Sequence, residues 1–338
     1  MDDGREPNAR GARSSAAGGP AVGEQPAPRP RTPPRLDELL ARTSRTFALN
    51  IPLLPEPTRG EVTVAYLLFR VADTLEDSTA WAPARKCGEL GRLAALLRRP
   101  STEAAAALAD DWRAAPPCAH EGYRDLLAEL PAVLAFEATL SPRARRSIRR
   151  HLVRTIERMT TFVAREREQG LELRDVDDLR SYCYAVAGIV GEMLTELFLL
   201  ERDGLAPVAE RLSAGAATFG EALQLVNILK DAASDSREGR NFLPAGVDRS
   251  RVFALAREDL RAAGRYCSTL HAAGAPRGLV EFTTLPVLLA WATLDRVEQS
   301  GPGAKLTRPE VGAIIQQMYE ALDGDRFERL WSRRRGVS

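Results

Sequence analysis

Apolar side chains recur at helical spacing along nearly the whole chain from Leu36 onward, and no segment alternates polar and apolar residues for long enough to form a sheet. The pattern predicts helices over 35–47, 58–77, 83–98, 101–114, 120–138, 142–169, 175–201, 205–234, 249–272, 275–299 and 307–323. Ser141 before Pro142 has the form of an N-cap followed by a first-turn proline, and Pro286 falls inside a helix, where its missing N–H predicts a kink. An all-α single domain is expected. Residues 1–34 differ, because Gly, Pro, Ala and Arg dominate and large apolar side chains are almost absent. Such a segment cannot bury enough surface to offset the entropy of ordering it. It is expected to be a disordered tail, followed by one folded domain over 35–330 and a short basic tail over 331–338.

Two of the predicted helices carry polar rows at odds with their apolar surroundings. In QLVNILKDAASDSREGRNFLP, residues 224–244, the positions of Gln224, Asn227, Asp231 and Asp235 fall within about 80° of one another at about 100° per residue. Leu223, Leu225, Val226, Ile228 and Leu229 take most of the remaining circumference. A polar row is ordinarily solvated; on a helix this apolar it is expected to face a cavity. In AYLLFRVADTLEDS, residues 65–78, Tyr66, Arg70, Asp73 and Asp77 again share one face, with Glu76 at its edge. Aspartates at i and i+4 repel each other and are poor helix formers. Two such pairs, each preceded by a basic or amide residue, point to a use for the charge.

Facing acidic helices suit hard cations. Mg²⁺ takes oxygen ligands and is commonly held by one or two carboxylates together with substrate phosphates, so the missing ligands would be a diphosphate. Loss of that leaving group would produce a carbocation, which needs a dry apolar cavity. RSYCYAVAGIVGEMLTELFLL, residues 180–200, offers one wall: Tyr182, Val186, Ile189 and Met193 form an expected row, and Gly188 and Gly191 permit close approach of a ligand or of a neighbouring helix. A core helix with a glycine packing notch satisfies the same pattern. GLVEFTTLPVLLAWATLDRV, residues 278–297, reads equally as core or as tunnel wall.

Composition narrows the field by exclusion. Lys plus Arg is 47 and Asp plus Glu is 46, so no global charge draws the chain to nucleic acid. Lysine occurs at 86, 230 and 305 alone, which reads as GC-rich codon usage, and arginine clusters are discounted accordingly. The cysteines (87, 118, 183, 267) and histidines (120, 151, 271) are too scattered for a zinc site or a disulfide framework. The N-terminus lacks the apolar core of a signal peptide, and no stretch approaches 20 uninterrupted apolar residues. A cytoplasmic location is expected, with peripheral contact at the inner face of the membrane left open, as a monomer or weak dimer.

The order SRTF (44–47), YLLFRVADTLED (66–77), YCYAVAG (182–188), QLVNILKDAASD (224–235) and GRNFLP (239–244) resembles the squalene and phytoene synthase family of head-to-head prenyltransferases. The resemblance extends from about 36 to 323 and is nearest in character to squalene synthase. It implies a class I isoprenoid synthase bundle around a central apolar pocket that binds two prenyl diphosphates. It further implies that Asp73, Glu76, Asp77, Asp231 and Asp235 hold Mg²⁺, and that Arg45, Phe47, Tyr66, Arg70, Val186, Gln224, Asn227, Lys230 and Phe282 contact substrate. Tyr182 is similar to the family tyrosine beside the cationic intermediate, where a hydroxyl and a ring face guide proton transfer and stabilise charge. Lys230 stands where many members have Arg, and Ala185 where eukaryotic squalene synthases often have Tyr; both bear on pocket shape.

Members of the family differ in whether NADPH reduces the coupled product. EFTTLPVLLAWATLDRVEQSGPGAKLTRPEV, residues 281–311, resembles squalene synthases in its apolar helix followed by a basic loop, which implies NADPH contacts at Asn227, Lys230, Arg240, Lys305 and Arg308. The expected reaction is squalene formation from farnesyl diphosphate. Phytoene or dehydrosqualene synthesis without reduction is the alternative; a chain-elongating synthase, a terpene cyclase or a non-catalytic assembly factor of the same fold are the rivals. The basic stretch SPRARRSIRRHLVRTIERM, residues 141–159, is the candidate for membrane contact, although its arginines fall on all sides of the projected helix.

Overall fold

A computed structural model describes residue 1 and residues 31–44, 47–166, 170–200, 202–324 and 326–332. Arg45 and most of both expected tails lie outside those residues. The first half runs through α1 (Pro34–Thr43), α2 (Phe47–Asn50), α3 (Thr58–Glu76), α4 (Pro83–Arg98), α5 (Thr102–Ala114), α6 (Glu121–Ala128), α7 (Leu130–Glu137) and α8 (Pro142–Val163). The second half comprises β1 (Leu171–Glu172), α9 (Val176–Cys183), α10 (Ile189–Leu199), α11 (Ala209–Arg237), β2 (Arg240–Asn241), α12 (Arg249–Ala272), α13 (Arg277–Ser300), α14 (Arg308–Asp323) and α15 (Arg329–Ser332). The two strands form a two-residue parallel bridge, Leu171 to Arg240 and Glu172 to Asn241, too short for any period-two signal in the sequence.

The expected helices are present, with breaks where local chemistry demands them. The helix expected over 120–138 is two, because Pro131 has no N–H to bond the carbonyl of Leu127. The Ser141 hydroxyl accepts the Ala144 N–H at 3.2 Å, with Pro142 in the first turn, as the sequence predicts. α9 and α10 form one rod with a π-helical turn, Tyr184–Gly188, between them. The helix expected from 205 opens as a 3₁₀ turn, Asp203–Val208, that contains Pro207. Folded structure continues past 330: the buried Trp331 packs over Gly264.

The core is built in two parts. One gathers α1, α3, α4 and α8, with Leu279 and Phe282 of α13; the other gathers α11, α12 and most of α13. Val186 touches both, which places the π-turn at their seam. α10 and α11 meet there closely. A methyl group on Gly191 would lie 2.0 Å from the Ala216 carbonyl oxygen, and one on Gly220 would lie 2.0 Å from that of Ala187. Of the two roles the sequence allowed for Gly191, helix packing is seen directly in this contact, and the residue also borders the cavity between the helices.

Two helical rods, Val176–Leu199 and Arg277–Ser300, are long and apolar enough to cross a membrane, and 61% and 72% of their most apolar windows are buried within the bundle. Both are therefore core elements of this fold. The basic stretch in α8 spends much of its charge internally: Arg149 pairs with Glu137, Arg150 with Glu196 and Arg154 with Glu192.

The glycine contacts generate a paired test. Gly191→Ala and Gly220→Ala should each destabilise the protein by about 1–3 kcal/mol through overpacking, whereas Gly88→Ala, at a helical position with nothing within 4 Å, should stabilise it by about 0.5–1 kcal/mol. Thermal melts of the three variants give the comparison; a Gly191→Ala protein as stable as the parent would show that the two helices separate at no cost.

Candidate active site

α3 and α11 bring their polar rows to one end of an apolar cavity of about 220 Å³. Phe47, Ile51, Val62 and Phe69 form its wall on the N-terminal side, with Val186, Val190, Met193 and Leu194 opposite. Phe219, Leu223, Phe282 and Pro286 complete it, while Tyr66, Arg70, Asp73, Gln224 and Asn227 supply the polar lining. The helical spacing therefore worked as expected for Tyr66, Arg70 and Asp73 on one helix and for Gln224 and Asn227 on the other. Pro286 cannot donate to the carbonyl four residues earlier, that of Phe282, so the hydrogen-bond ladder is interrupted where α13 borders the cavity.

Hydrogen bonds and ring contacts hold the polar end in place. The Tyr66 hydroxyl donates to the Thr43 carbonyl at 3.0 Å, and its ring lies 5.2 Å from that of Phe47. The Arg70 guanidinium sits 5.6 Å from the ring centres of both Tyr66 and Tyr123 and 3.5 Å from the Asp73 carboxylate. Tyr123 comes from α6, and no sequence spacing connects it to Arg70. On α11, the Lys230 ammonium lies 3.1 Å from Asp231 and 3.4 Å from the Asn227 side-chain oxygen. The Lys230 carbonyl accepts the Gly303 N–H at 2.7 Å, which brings the loop before α14 against this helix; Lys305 is exposed on that loop and Arg308 is exposed at the first position of α14.

Beyond the cavity the two acidic motifs meet across Arg240. Its guanidinium pairs with Asp77 at the end of α3, lies 3.9 Å from Asp235 of α11 and 2.6 Å from Glu238. Backbone geometry aims it there. Gly239 follows the end of α11 with φ 77°, a left-handed conformation that suits glycine. A methyl group on Gly170 would lie 1.5 Å from the Gly239 carbonyl oxygen, so the bridge between β1 and β2 can close only on glycine.

Electrostatics mark the same groups. Burial raises the Asp73 carboxyl to about 6 against the opposing charge of Arg70, with Asp77 adding to the rise. Burial likewise raises Asp235 to about 6, opposed by Arg240 and reinforced by Asp231. Glu76, only 6% exposed, is held well above the usual carboxylate range by burial and by Asp77 and Asp73, while Arg240 and Lys86 oppose the shift. Lys86 was not singled out from the sequence, yet it is buried, paired with Glu166 at 2.9 Å, and close enough to act on Glu76. Among the described residues, no three His, Cys, Asp or Glu side chains converge as a preformed metal cage.

The expected row Tyr182, Val186, Ile189 and Met193 does not stay together. Val186 and Met193 line the cavity and Ile189 is wholly buried, but Tyr182 is outside the lining. The π-turn widens the helix after Cys183 and breaks the α-helical spacing. The Tyr182 ring instead stacks on Phe242 at 4.6 Å and meets Phe162 edge-on at 5.2 Å. Burial, then Glu76 and Asp77, push its hydroxyl well above the usual phenol range, so it stands at the acidic end of the site. Tyr184 is directed elsewhere, accepting from Arg154 at 2.6 Å and donating to Glu192 at 3.1 Å.

A helical bundle with two acidic helices at the polar end of an apolar cavity has the architecture of the class I isoprenoid synthases, as seen in solved squalene synthase structures. Residues 40–313 match the squalene/phytoene synthase family, and the chain belongs to that family. It is 31% identical over 213 residues to the squalene synthase of Candida albicans, which covers 63% of this chain and 45% of that one. Against the squalene synthase of Eremothecium gossypii it is 29% identical over 284 residues, covering 78% and 62%. The chain thus spans about half the length of these curated relatives. The solved structure of TcSQS with a bound ligand superposes with a TM-score of 0.69 at 23% identity, over 88% of this chain and 95% of that one. A dehydrosqualene synthase with a ligand gives 0.54 at 20% identity, over 86% and 96%.

The raised carboxyls predict a pH dependence. Because Asp73 and Asp235 hold protons more tightly in the folded protein than in the unfolded chain, stability should fall as pH rises from about 4 through about 6. In the metal-free protein, Asp73→Asn with Asp235→Asn should flatten that slope and melt no lower than the parent at pH 7. Thermal melts in EDTA across this range measure it; an unchanged slope in the double variant would assign the dependence to other groups.

Proposed function

We propose that this chain joins two farnesyl diphosphates head to head and, with NADPH, forms squalene. The observation that carries this reading is the placement of Arg70, Asp73, Gln224 and Asn227 on an apolar cavity whose polar end continues into two facing carboxylate pairs. The squalene synthases among its relatives support the same reading.

The donor set fits Mg²⁺. All five candidate ligands, Asp73, Glu76, Asp77, Asp231 and Asp235, present carboxylate oxygens, and burial leaves Asp73, Glu76 and Asp235 short of compensating positive charge. Mg²⁺ commonly takes its remaining ligands from substrate phosphates and water, so the carboxylates need not form a complete cage by themselves. When bound, Mg²⁺ neutralises the charge that develops on the departing diphosphate. Arg70 and Lys230 add fixed positive charge at the same end of the cavity.

The rest of the cavity favours the fate of a carbocation. Its walls are largely apolar and offer few nucleophiles, and the rings of Phe47, Tyr66, Phe69, Phe219 and Phe282 line it, a side-chain class whose faces can stabilise positive charge. Tyr182, outside the cavity lining but held neutral beside Glu76 and Asp77, places a hydroxyl at the acidic end of the site, where it would take part in proton transfer. Asn227, Lys230 and Arg240 with the adjoining Lys305 and Arg308 form the candidate NADPH contact, because the Gly303–Lys230 bond joins the basic loop to α11. When bound, NADPH supplies the hydride that ends the sequence at squalene. A cytoplasmic enzyme touching the membrane surface where its hydrocarbon product partitions completes the reading.

The decisive assay is mass-spectrometric analysis of products from farnesyl and geranylgeranyl diphosphates with Mg²⁺, each with and without NADPH. Squalene is expected from the shorter substrate when NADPH is present, and presqualene diphosphate, dehydrosqualene or alcohols when it is not. Phytoene with no response to NADPH would move the assignment to the non-reducing branch, and cyclised monomeric products would defeat head-to-head coupling. Asp73→Asn and Asp231→Asn should each abolish turnover in a folded protein. Tyr182→Phe should lower turnover by more than Tyr184→Phe; small and equal effects would leave Tyr182 as a packing residue.

A further inference from the structure

We propose that Arg240 is a built-in counter-cation that bridges the two acidic helices in the metal-free protein and gives up that position when divalent cations enter. This rests on the reading of the carboxylates as Mg²⁺ ligands.

Among the described residues three cations pair directly with the acidic motifs, and they do so differently. Arg70 pairs with Asp73 on its own helix, and Lys230 pairs with its neighbour Asp231. Arg240 alone among the described residues reaches both helices, through Asp77 of α3 and Asp235 of α11. The backbone beneath it is fixed by the β1–β2 bridge and by the Gly170–Gly239 contact, so the guanidinium is delivered to this spot by the fold. Its side chain is 23% exposed, against 45% for Asp77 and 16% for Asp235, which leaves the bridge reachable from solvent.

The arrangement fits a temporary occupant better than a permanent strut. Nε of Arg240 is buried with no hydrogen-bond partner, as are those of Arg59, Arg70, Arg145, Arg149 and Arg249, so the unused donor does not by itself set this arginine apart. A single positive charge spread over a planar fork is a poorer match than a compact divalent ion for carboxylates arriving from two directions. The consequence is competition: a metal must displace the arginine before it can use Asp77 and Asp235 together. Metal alone then binds more weakly than the carboxylates would permit. Metal arriving with a diphosphate, which contributes further oxygen ligands, overcomes the penalty.

Titration with Mn²⁺, read by the electron paramagnetic resonance of the free ion in the absence of substrate, tests this in the full chain. Arg240→Gln should bind Mn²⁺ about tenfold more tightly than the parent and should melt at a lower temperature in EDTA, where the carboxylates have lost their bridge. Arg240→Lys, which keeps the charge, should stay nearer the parent in both measurements. Should Arg240→Gln fold poorly, Asp77→Asn added to it should recover the melting temperature, since the repulsion is then reduced. Equal or weaker Mn²⁺ binding by Arg240→Gln overturns the proposal, as does a double variant no more stable than Arg240→Gln itself. No Mn²⁺ binding by any of the proteins would overturn the metal assignment beneath it, a result distinct from equal binding by all.

Discussion

Carboxylates on α3 and α11 repel one another, and a half-buried site makes that repulsion stronger than water would allow. The surrounding structure answers it in several ways. Arg70, Lys230 and Arg240 stand against individual acids, and Lys86 acts on Glu76 from behind. Burial first, and after it the repulsion the cations do not offset, appear as raised proton affinity at Asp73, Glu76 and Asp235. The repulsion has a use only if a stronger cation arrives with its own counter-anion, which ties the electrostatics of the resting protein to the chemistry proposed for it.

The cavity depends on the same helices but on opposite physics. Its walls are apolar, and the backbone irregularities nearby sit on its border: the π-turn before α10, the interrupted ladder at Pro286, and the glycine contacts between α10 and α11. Each lets two helices approach, or turns side chains, in a way a regular helix would not. Charge gathers at one end while hydrocarbon lines the rest, so a substrate with an anionic head and an apolar tail has a single sensible orientation.

Much of this was legible in the chain alone. Helical periodicity placed most of the helices, and the i, i+4 spacing of Asp73 with Asp77 and of Asp231 with Asp235 marked the acidic faces before any tertiary contact was considered. Tyr66, Arg70, Gln224 and Asn227 followed from the same geometry and do line the cavity. Spacing failed at Tyr182, because a projection at about 100° per residue assumes an unbroken α-helix and a π-turn intervenes. It also could not find Tyr123 or Lys86, which reach the site from helices with no sequence relation to it.

The sequence by itself determined the class of fold and the identity of the polar groups, since both are local: periodicity is set by the backbone repeat, and chemistry by side-chain type. Tertiary structure decided how those groups are shared. Whether Gly191 meets a ligand or a helix, whether Tyr182 faces the apolar wall or the acids, and which cation spans the two motifs are questions of distance between segments far apart in the chain. Arg240 is the clearest case. The GRNFLP motif marked it as a cofactor contact, but nothing in the sequence placed it between the acidic motifs; only the bridge of β2 to β1, closing on Gly170 and Gly239, brings it between Asp77 and Asp235.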